Sequence, residues 1–283
     1  MKTLIISLAL LLFTSSAFSQ NEAIKIKKSG NGSPVLFLPG FTTPGSIWNE
    51  TVANLKSSKQ THIVSYAGFN GIPSIDTPWY PVIKAQLIDY IKKEKFSDVT
   101  IIGHSMGGNL AVDLAAALPD QVSKLILVDA IPCMRELMMP GVTAAQIQYN
   151  SPYNKQLLQM KDDAFQQLAV MMATNMTMKQ NYVDTLARWI KEADRNTYVY
   201  GYTDLLKLDL RDVLANVKAE TLILGASFPS AEIARGTFEK QYANLKTKTI
   251  EMATDSKHFI MLDQPGWFYG KVNSFLGKRS VNQ

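Results

Sequence analysis

The sequence predicts an α/β fold, a mostly parallel sheet with helices on both faces and an inserted helical lid. Short apolar runs alternate with segments of helical periodicity, a pattern typical of sheets that are buried on both sides. The alternation stops between Ile131 and Leu206, where helical patterns continue without a convincing buried strand. Ligands of parallel α/β sheets bind at the carboxyl edge of the strands, so an insertion there predicts a lid over that edge.

Each predicted strand is a short apolar run that ends at turn residues. The first, at 23–28, alternates apolar and polar residues and is expected to be exposed on one side. The second, PVLFL, is continuously apolar and stops at Pro39-Gly40, which indicates a buried strand entering a turn. Strands are predicted at 23–28, 34–38, 62–66, 99–102, 124–128, 222–224 and 248–252.

The predicted helices show apolar residues at a spacing of three or four. The segment 81–95 carries them at Val82, Ile83, Leu87 and Ile91. The alanine-rich segment 107–118 is expected to end before Pro119, since proline disfavours helical backbone in the preceding residue. Helices are predicted at 47–55, 81–95, 107–118, 155–172, 180–193, 231–242 and 267–275.

The chain divides into a leader, a core and an insertion. Residues 1–19 have a basic Lys2, a short apolar run and a small-residue cleavage pattern, so they predict a signal peptide and an exported protein, periplasmic or secreted. The apolar run is too short for a stable membrane anchor. The core is expected at 20–131 and 207–283, with the lid at 132–206. Eight of the twelve methionines lie in that lid, where most should pack its own core and some could line a substrate pocket.

Composition narrows the classes of function. The net charge of +5 comes from scattered lysines without a dense basic stripe, so the sequence does not predict a nucleic-acid partner. A single cysteine, Cys133, excludes an internal disulfide and is a possible pocket residue. Three separated histidines give no metal-ligand cluster, and GHSMGG lacks the spacing of a dinucleotide site. No cofactor is therefore expected, and the oligomeric state is not readable.

Ser105 lies in a motif with a specific physical reason. GHSMG fits the G-x-S-x-G pattern between a predicted strand and a predicted helix. A strand that turns into a helix within a few residues holds the serine at a sharp corner with its oxygen exposed, and the flanking glycines prevent collisions. The free N–H groups at the start of the helix favour negative charge that develops there.

With this motif in place, the chain from about 35 to 276 resembles the α/β-hydrolase family, specifically an exported bacterial member with a serine nucleophile and a lid. The resemblance implies that a histidine after the last strand acts as the base, which points to His258 in TDSKHFIML. His62 opens a buried strand and is expected to be structural. His104 should point into the core, away from Ser105.

The sequence offers three candidates for the acid that orients the base. Many family members carry it after the strand that is TLILG here, but this chain continues ASFPSAE with Glu232 as the nearest carboxylate. Asp129 ends the preceding strand, where some members place the acid, and keeps the order Ser, Asp, His. Asp129 is therefore preferred over Glu232, with Asp255 as a third alternative.

The resemblance also implies two backbone donors for an oxyanion. One is the N–H of Met106, directly after Ser105. The other is the N–H of Phe41 in LPGFTTPG, which resembles the family's HGF loop but has Pro39 where histidine is common. Since the donor belongs to the backbone, this departure is tolerable.

The expected function is hydrolysis of carboxylic esters of small to medium apolar substrates through an acyl-enzyme intermediate. Two alternatives stay open. The same residues could cleave an amide or peptide, a lactone, or a C–C bond. A protein that kept the fold and lost catalysis could instead be a binding protein.

Overall fold

A mixed sheet organises the protein, for which a computed structural model describes residues 22–277. Its order is β1-β3-β2-β4-β5-β6-β7, with β1 antiparallel to β3 and every other neighbouring pair parallel. The strands are β1 (Ile24–Ser29), β2 (Ser33–Leu38), β3 (Lys59–Tyr66), β4 (Val99–His104), β5 (Val122–Val128), β6 (Glu220–Ala226) and β7 (Lys248–Ala253). The predicted α/β class with a mostly parallel sheet is confirmed, whereas the predicted signal peptide at 1–19 lies outside the described residues.

The middle strands are buried on both faces, as their continuous apolar runs predicted. The side chains from Val35 to Leu38 and from Leu125 to Val128 are fully buried. Several strands run past their apolar segments because polar residues at their ends still pair in register. Lys59 and Gln60, for example, pair with Ser33 and Pro34 at the start of β2.

Helices follow most of the strands and cover both faces of the sheet. Trp48 stacks on Phe268 with ring centroids 6.4 Å apart, which brings the first and last helical segments together. The helices are α1 (Asn49–Ala53), α2 (Trp79–Lys93), α3 (Met106–Ala117), α4 (Met134–Met138), α5 (Pro152–Gln159), α6 (Asp162–Met176), α7 (Gln180–Lys191), α8 (Arg195–Lys207), α9 (Ala231–Gln241), α10 (Ile260–Asp263) and α11 (Pro265–Gly277).

The segment between β5 and β6 contains α4 to α8 and no strand. The single helix predicted at 155–172 is wrong, because it is broken into α5 and α6. Met160 and Lys161 have extended backbone between the two helices. Arg195 stabilises the break by donating from Nη1 to the carbonyls of Leu157 and Met160, both at 3.0 Å.

Helix α8 was not expected from the sequence, since its residues RNTYVYGYTDLLK include β-branched and aromatic side chains and a glycine. Asp194 starts it, with a side chain that accepts a hydrogen bond from Thr197 N at 2.8 Å. An aspartate in this capping position was the available signal for the helix.

Asp204 anchors the insertion to the core. Its buried carboxylate on α8 accepts hydrogen bonds from the backbone N–H groups of Trp79 at 2.7 Å and Tyr80 at 2.9 Å, at the start of α2. Tyr149, also in the insertion, donates its hydroxyl to the other oxygen. Since the first N–H groups of a helix have no partner within it, this carboxylate both caps α2 and fixes α8. The role of 132–206 as a lid, and the predicted bounds of the core, stay predictions.

Candidate active site

Ser105 occupies the corner between β4 and α3. Its backbone has φ 52° and ψ −123°, a conformation that a residue with a side chain adopts only under strain. Three backbone hydrogen bonds hold it there: Ser105 N donates to Val128 O at 2.9 Å, and Ser105 O accepts from Gly108 N and Asn109 N. The predicted corner is therefore present, and Ser105 lines a cavity at this edge of the sheet.

The glycines on either side of Ser105 are required by packing. A Cβ on Gly103 would lie 2.2 Å from the carbonyl oxygen of Gly107. A Cβ on Gly107 would lie 2.2 Å from the carbonyl oxygen of Leu38. Both distances are far below van der Waals contact with backbone that cannot move away. The tight turn thus depends on glycine at both positions.

Asp129 and His258 lie in direct contact beside this corner. His258 Nδ1 and Asp129 Oδ2 are 2.7 Å apart. Asp129 Oδ1 accepts a hydrogen bond from Ala226 N at 2.9 Å, and Asp129 N donates to Leu224 O at 2.8 Å. The carboxylate at the end of β5 is therefore held by the end of β6 while it contacts the histidine.

The other two acids considered for this role lie elsewhere. Glu232 is exposed in the first turn of α9, and Asp255 is exposed in the loop after β7. Neither side chain is hydrogen-bonded to His258 within the described chain. Of the three acids that the sequence offered, the structure brings Asp129 to the histidine.

The remaining histidines are buried. His104 Nε2 donates a hydrogen bond to the carbonyl oxygen of His258 at 3.0 Å, so Nε2 carries the proton. Burial, followed by the proximity of His258, lowers the pKa of His104 well below its usual range, so this ring is neutral. His62 bonds to the hydroxyl of Tyr90 at 2.6 Å on β3, as expected for a structural residue.

The loop after β2 passes close to Ser105, and its backbone carbonyl oxygens accept hydrogen bonds. Gly40 packs so closely that a Cβ there would lie 3.3 Å from Ser105 Cβ and 2.8 Å from His104 Nδ1. The carbonyls of Gly40, Phe41 and Thr42 accept hydrogen bonds from Thr43 N, Thr43 Oγ1 and Asn70 Nδ2. These bonds fix the path of the loop beside Ser105, and Phe41 lines the same cavity as the serine.

Met106 supplies a second backbone N–H beside Ser105. As the first residue of α3, it has an N–H outside the helix's own hydrogen-bond ladder. Met106 follows Ser105 in the chain, and Phe41 lines the same cavity as Ser105. Their role as oxyanion donors stays a prediction.

The cavity has a volume of about 250 Å³ and opens beside Ser105 and His258. None of the described residues that line it is Asp, Glu, Lys or Arg. Most of its wall comes from the insertion: Met134, Met172, Met176, Leu186, Trp189, Ile190, Tyr198, Tyr202 and Leu205. The core contributes Phe41, Thr42, Thr43, His104 and Phe259 among others. An apolar substrate portion suits such a wall.

The methionines and Cys133 differ in part from expectation. Three methionines of the insertion line the cavity, but most of the others do not pack its core. Met138, Met139, Met171 and Met178 are exposed instead. Cys133 is buried outside the cavity lining, where its backbone N–H bonds to Gln241 Oε1 at 3.0 Å.

Asp263 holds the loop that carries His258, a role that was not predicted from the sequence. Its buried carboxylate accepts from Lys257 N at 2.8 Å, from Thr177 Oγ1 at 2.6 Å and from Met178 N at 2.9 Å. Phe259 N also donates to Met176 O at 3.0 Å. Phe259 is thus bonded directly to the end of α6, and Lys257 is linked through Asp263 to the two residues that follow α6. An acid directly after the apolar run FIML was the available signal.

Two further findings concern metals and membranes. Within residues 22–277, no group of three or more His, Cys, Asp or Glu side chains is arranged to hold a metal ion. Over the same residues, none of the helices combines the length and the apolar character that a membrane crossing requires.

Comparison with known proteins identifies the class. The alpha/beta hydrolase family model matches residues 35–271, so the chain belongs to the alpha/beta hydrolase family. The family and fold predicted from the sequence are confirmed.

Individual relatives are similar at low identity. The pimeloyl-(acyl-carrier protein) methyl ester esterase of Aeromonas hydrophila is 23% identical over 268 residues, covering 90% of this chain and 100% of that protein. An esterase from Exiguobacterium antarcticum superposes with a TM-score of 0.72 at 21% identity, covering 90% of this chain and 96% of that one. An enol-lactonase from Burkholderia xenovorans gives 0.73 at 15%, with the same coverage. The relatives support an enzyme of the alpha/beta hydrolase class.

Proposed function

We propose that the protein is a serine hydrolase that cleaves carboxylic esters of small to medium apolar substrates through an acyl-enzyme intermediate. The observation that carries the proposal is the meeting of three groups at one edge of the sheet. Ser105 and His258 line the same cavity, and His258 is bonded to Asp129. A nucleophile, a base and an orienting acid are the groups that acyl transfer requires.

Each group has a defined role in this mechanism. Because Nδ1 of His258 is committed to Asp129, Nε2 is the nitrogen that takes the proton of Ser105 as Oγ attacks the ester carbonyl. The N–H groups of Phe41 and Met106 stabilise the oxyanion. The intermediate collapses, and the alcohol leaves with the proton from His258. Water then attacks the acyl group, which leaves Ser105 as a free acid.

The cavity supports the substrate class. Its wall is apolar and its volume of about 250 Å³ suits a short or medium chain. A charged acyl group would enter without a compensating partner, at a cost in desolvation. A small-molecule ester with an uncharged chain is therefore the proposed substrate.

Covalent labelling tests the proposal. The purified protein and its Ser105→Ala variant are treated with a fluorophosphonate probe, and turnover of p-nitrophenyl butyrate is measured in parallel. Labelling and turnover in the wild type, both lost in the variant, are the expected result. A folded wild type that neither labels nor turns over the ester would favour a binding protein. Replacing the ester by an anilide or a lactone of equal chain length distinguishes the bond types.

A further inference from the structure

Two tyrosines of α8 face the cavity together. Tyr198 and Tyr202 are four residues apart, which places them on one side of the helix, and both line the cavity with Ser105. Each ring lies 5.9 Å from the ring of Phe41, measured between centroids. The two phenols therefore form the wall beside the loop that contacts Ser105.

Their hydroxyl groups have weak partners. Tyr198 donates to Met172 Sδ at 3.2 Å, and Tyr202 donates to Met138 Sδ at 3.3 Å. Neither hydroxyl has an oxygen or nitrogen partner among the described residues. A thioether is a weak acceptor, whereas tyrosine hydroxyls in buried positions usually find a strong one. Each hydroxyl would gain by exchanging sulfur for an oxygen acceptor.

The charge of the wall limits what that acceptor can be. Burial raises the pKa of Tyr202 to about 12 and also raises that of Tyr198, so both phenols keep their protons at neutral pH. The described lining includes no lysine or arginine to accompany an anion. The complementary group is thus an uncharged oxygen.

The scissile ester group does not supply this uncharged oxygen acceptor. Its carbonyl oxygen is assigned to the backbone N–H groups of Phe41 and Met106, so the phenols remain for another oxygen of the ligand. We propose that Tyr198 and Tyr202 donate hydrogen bonds to a second, neutral oxygen of the substrate, and that the preferred substrates are uncharged esters with a carbonyl or ether oxygen beyond the scissile group. This inference rests on the proposed function and narrows its substrate class.

The test compares matched substrates. One series consists of p-nitrophenyl hexanoate and its keto and ether analogues, with the added oxygen at each successive chain position. A second series places the oxygen in the alcohol chain of a butyrate ester, and acid release is followed with a pH indicator. The measured quantity is the ratio of kcat/KM for the oxygenated ester to that for the plain ester, which cancels differences in active protein.

For at least one position in either series, the wild type is expected to give a ratio of roughly 3 to 10, the range that a net neutral hydrogen bond provides. The ratio falls toward one in Tyr198→Phe, Tyr202→Phe or the double variant. Tyr200→Phe is the matched control on the same helix, outside the cavity lining, and keeps the wild-type ratio.

The inference is overturned if the wild type gives a ratio near one throughout both series, or if both Phe variants retain the wild-type ratio. Fluorophosphonate labelling of Ser105 separates this failure from failure of the proposed function. A protein that labels and turns over plain esters without preferring oxygenated ones is a serine hydrolase with a different substrate class. If the folded protein does not react with the fluorophosphonate probe, both proposals fail.

Discussion

Asp129 reaches His258 Nδ1 at 2.7 Å with one carboxylate oxygen and is held at 2.9 Å by the backbone N–H of Ala226 with the other. Ala226 is the last residue of β6, the strand end where the sequence lacks an acid. That strand end contributes a backbone donor in place of a side chain. The acid from β5 is thereby fixed from both sides, and its loss should affect the histidine directly.

The Asp129→Asn variant is expected to lower kcat by about 10³-fold or more. An amide can donate to His258 Nδ1 and so select the wrong tautomer, which leaves Nε2 protonated and unable to accept the proton of Ser105. Steady-state turnover of p-nitrophenyl butyrate and the rate of fluorophosphonate labelling both measure this. Glu232→Gln is the control, because Glu232 is exposed on α9. A larger loss in the control than in Asp129→Asn would assign the role of the acid to Glu232.

The Asp263→Asn variant tests whether the loop around His258 depends on its anchor. Asp263 accepts three hydrogen bonds, and an amide would leave one buried donor unmatched, at about 1–3 kcal/mol of unfolding free energy. We also expect kcat to fall roughly 10-fold through displacement of the histidine, with KM little changed. Urea unfolding and turnover are measured together.

Asp255→Asn serves as the control for that experiment, since its side chain is exposed in the same loop. Its unfolding free energy and its kcat should match those of the wild type. If Asp263→Asn lowers stability but leaves kcat and the labelling rate unchanged, Asp263 supports the fold without positioning His258.

The Gly107→Ala variant is expected to destabilise the protein by about 3 kcal/mol, because the added Cβ would meet Leu38 O at 2.2 Å. Gly236→Ala is the matched substitution on α9, where a Cβ meets nothing within 4 Å. That variant should gain about 0.5–1 kcal/mol from the helix preference of alanine. Thermal or urea unfolding of both proteins measures the contrast, and equal stabilities would contradict the packing argument at the corner.

Acid should destabilise the protein through His104. Its pKa is lowered from 6.5 in the folded state by burial, so below about pH 6.5 the unfolded chain binds a proton that the folded chain excludes. The contribution of neutral His104 to the free energy of unfolding is therefore fully present above that pH and is lost as the pH falls. His104→Gln should make the dependence shallower by up to about 1.4 kcal/mol per pH unit. Urea unfolding across this range measures the slope, and an unchanged slope would refute the assignment.

Residues 1–19 are predicted to direct export and to be removed. A bacterial host producing the full chain should yield a mature protein that starts at Gln20 and fractionates outside the cytoplasm. Intact mass and the N-terminal sequence measure the cleavage point. Recovery of the full-length chain from membranes would indicate an uncleaved anchor instead.

The sequence was sufficient for the sheet and for Ser105 because both follow from local patterns. Continuous apolar runs mark strands buried on two faces, and the glycines of GHSMGG mark a turn that is too tight for side chains at those positions. The strand ends were underestimated where polar residues such as Lys59 continue the pairing, since pairing depends on a neighbour that periodicity does not reveal.

The helices of the insertion were harder to predict from the sequence because they depend on distant contacts. The break between α5 and α6 is stabilised by Arg195, which is 35 residues from Met160. Helix α8 has weak intrinsic propensity and is held to the core by Asp204. The role of Asp263 likewise requires knowing that the end of α6 lies beside Lys257. Side chains that bridge separate segments leave little trace in a single sequence.

The three hydrogen bonds to Asp263 restrict how the insertion can be exchanged between homologues. The groups proposed to react belong to the core, whereas most of the cavity wall is supplied by α4 to α8. Exchanging 134–207 for the corresponding segment of a homologue would thus recombine a chosen specificity with an unaltered reaction. Not every position of the segment can be exchanged, because Met176 to Met178 contact Phe259 and Asp263 in and after the loop that carries His258. A chimaera that keeps these three residues native would preserve the contact with the histidine loop, and one that also keeps Asp204 would preserve the anchor to α2.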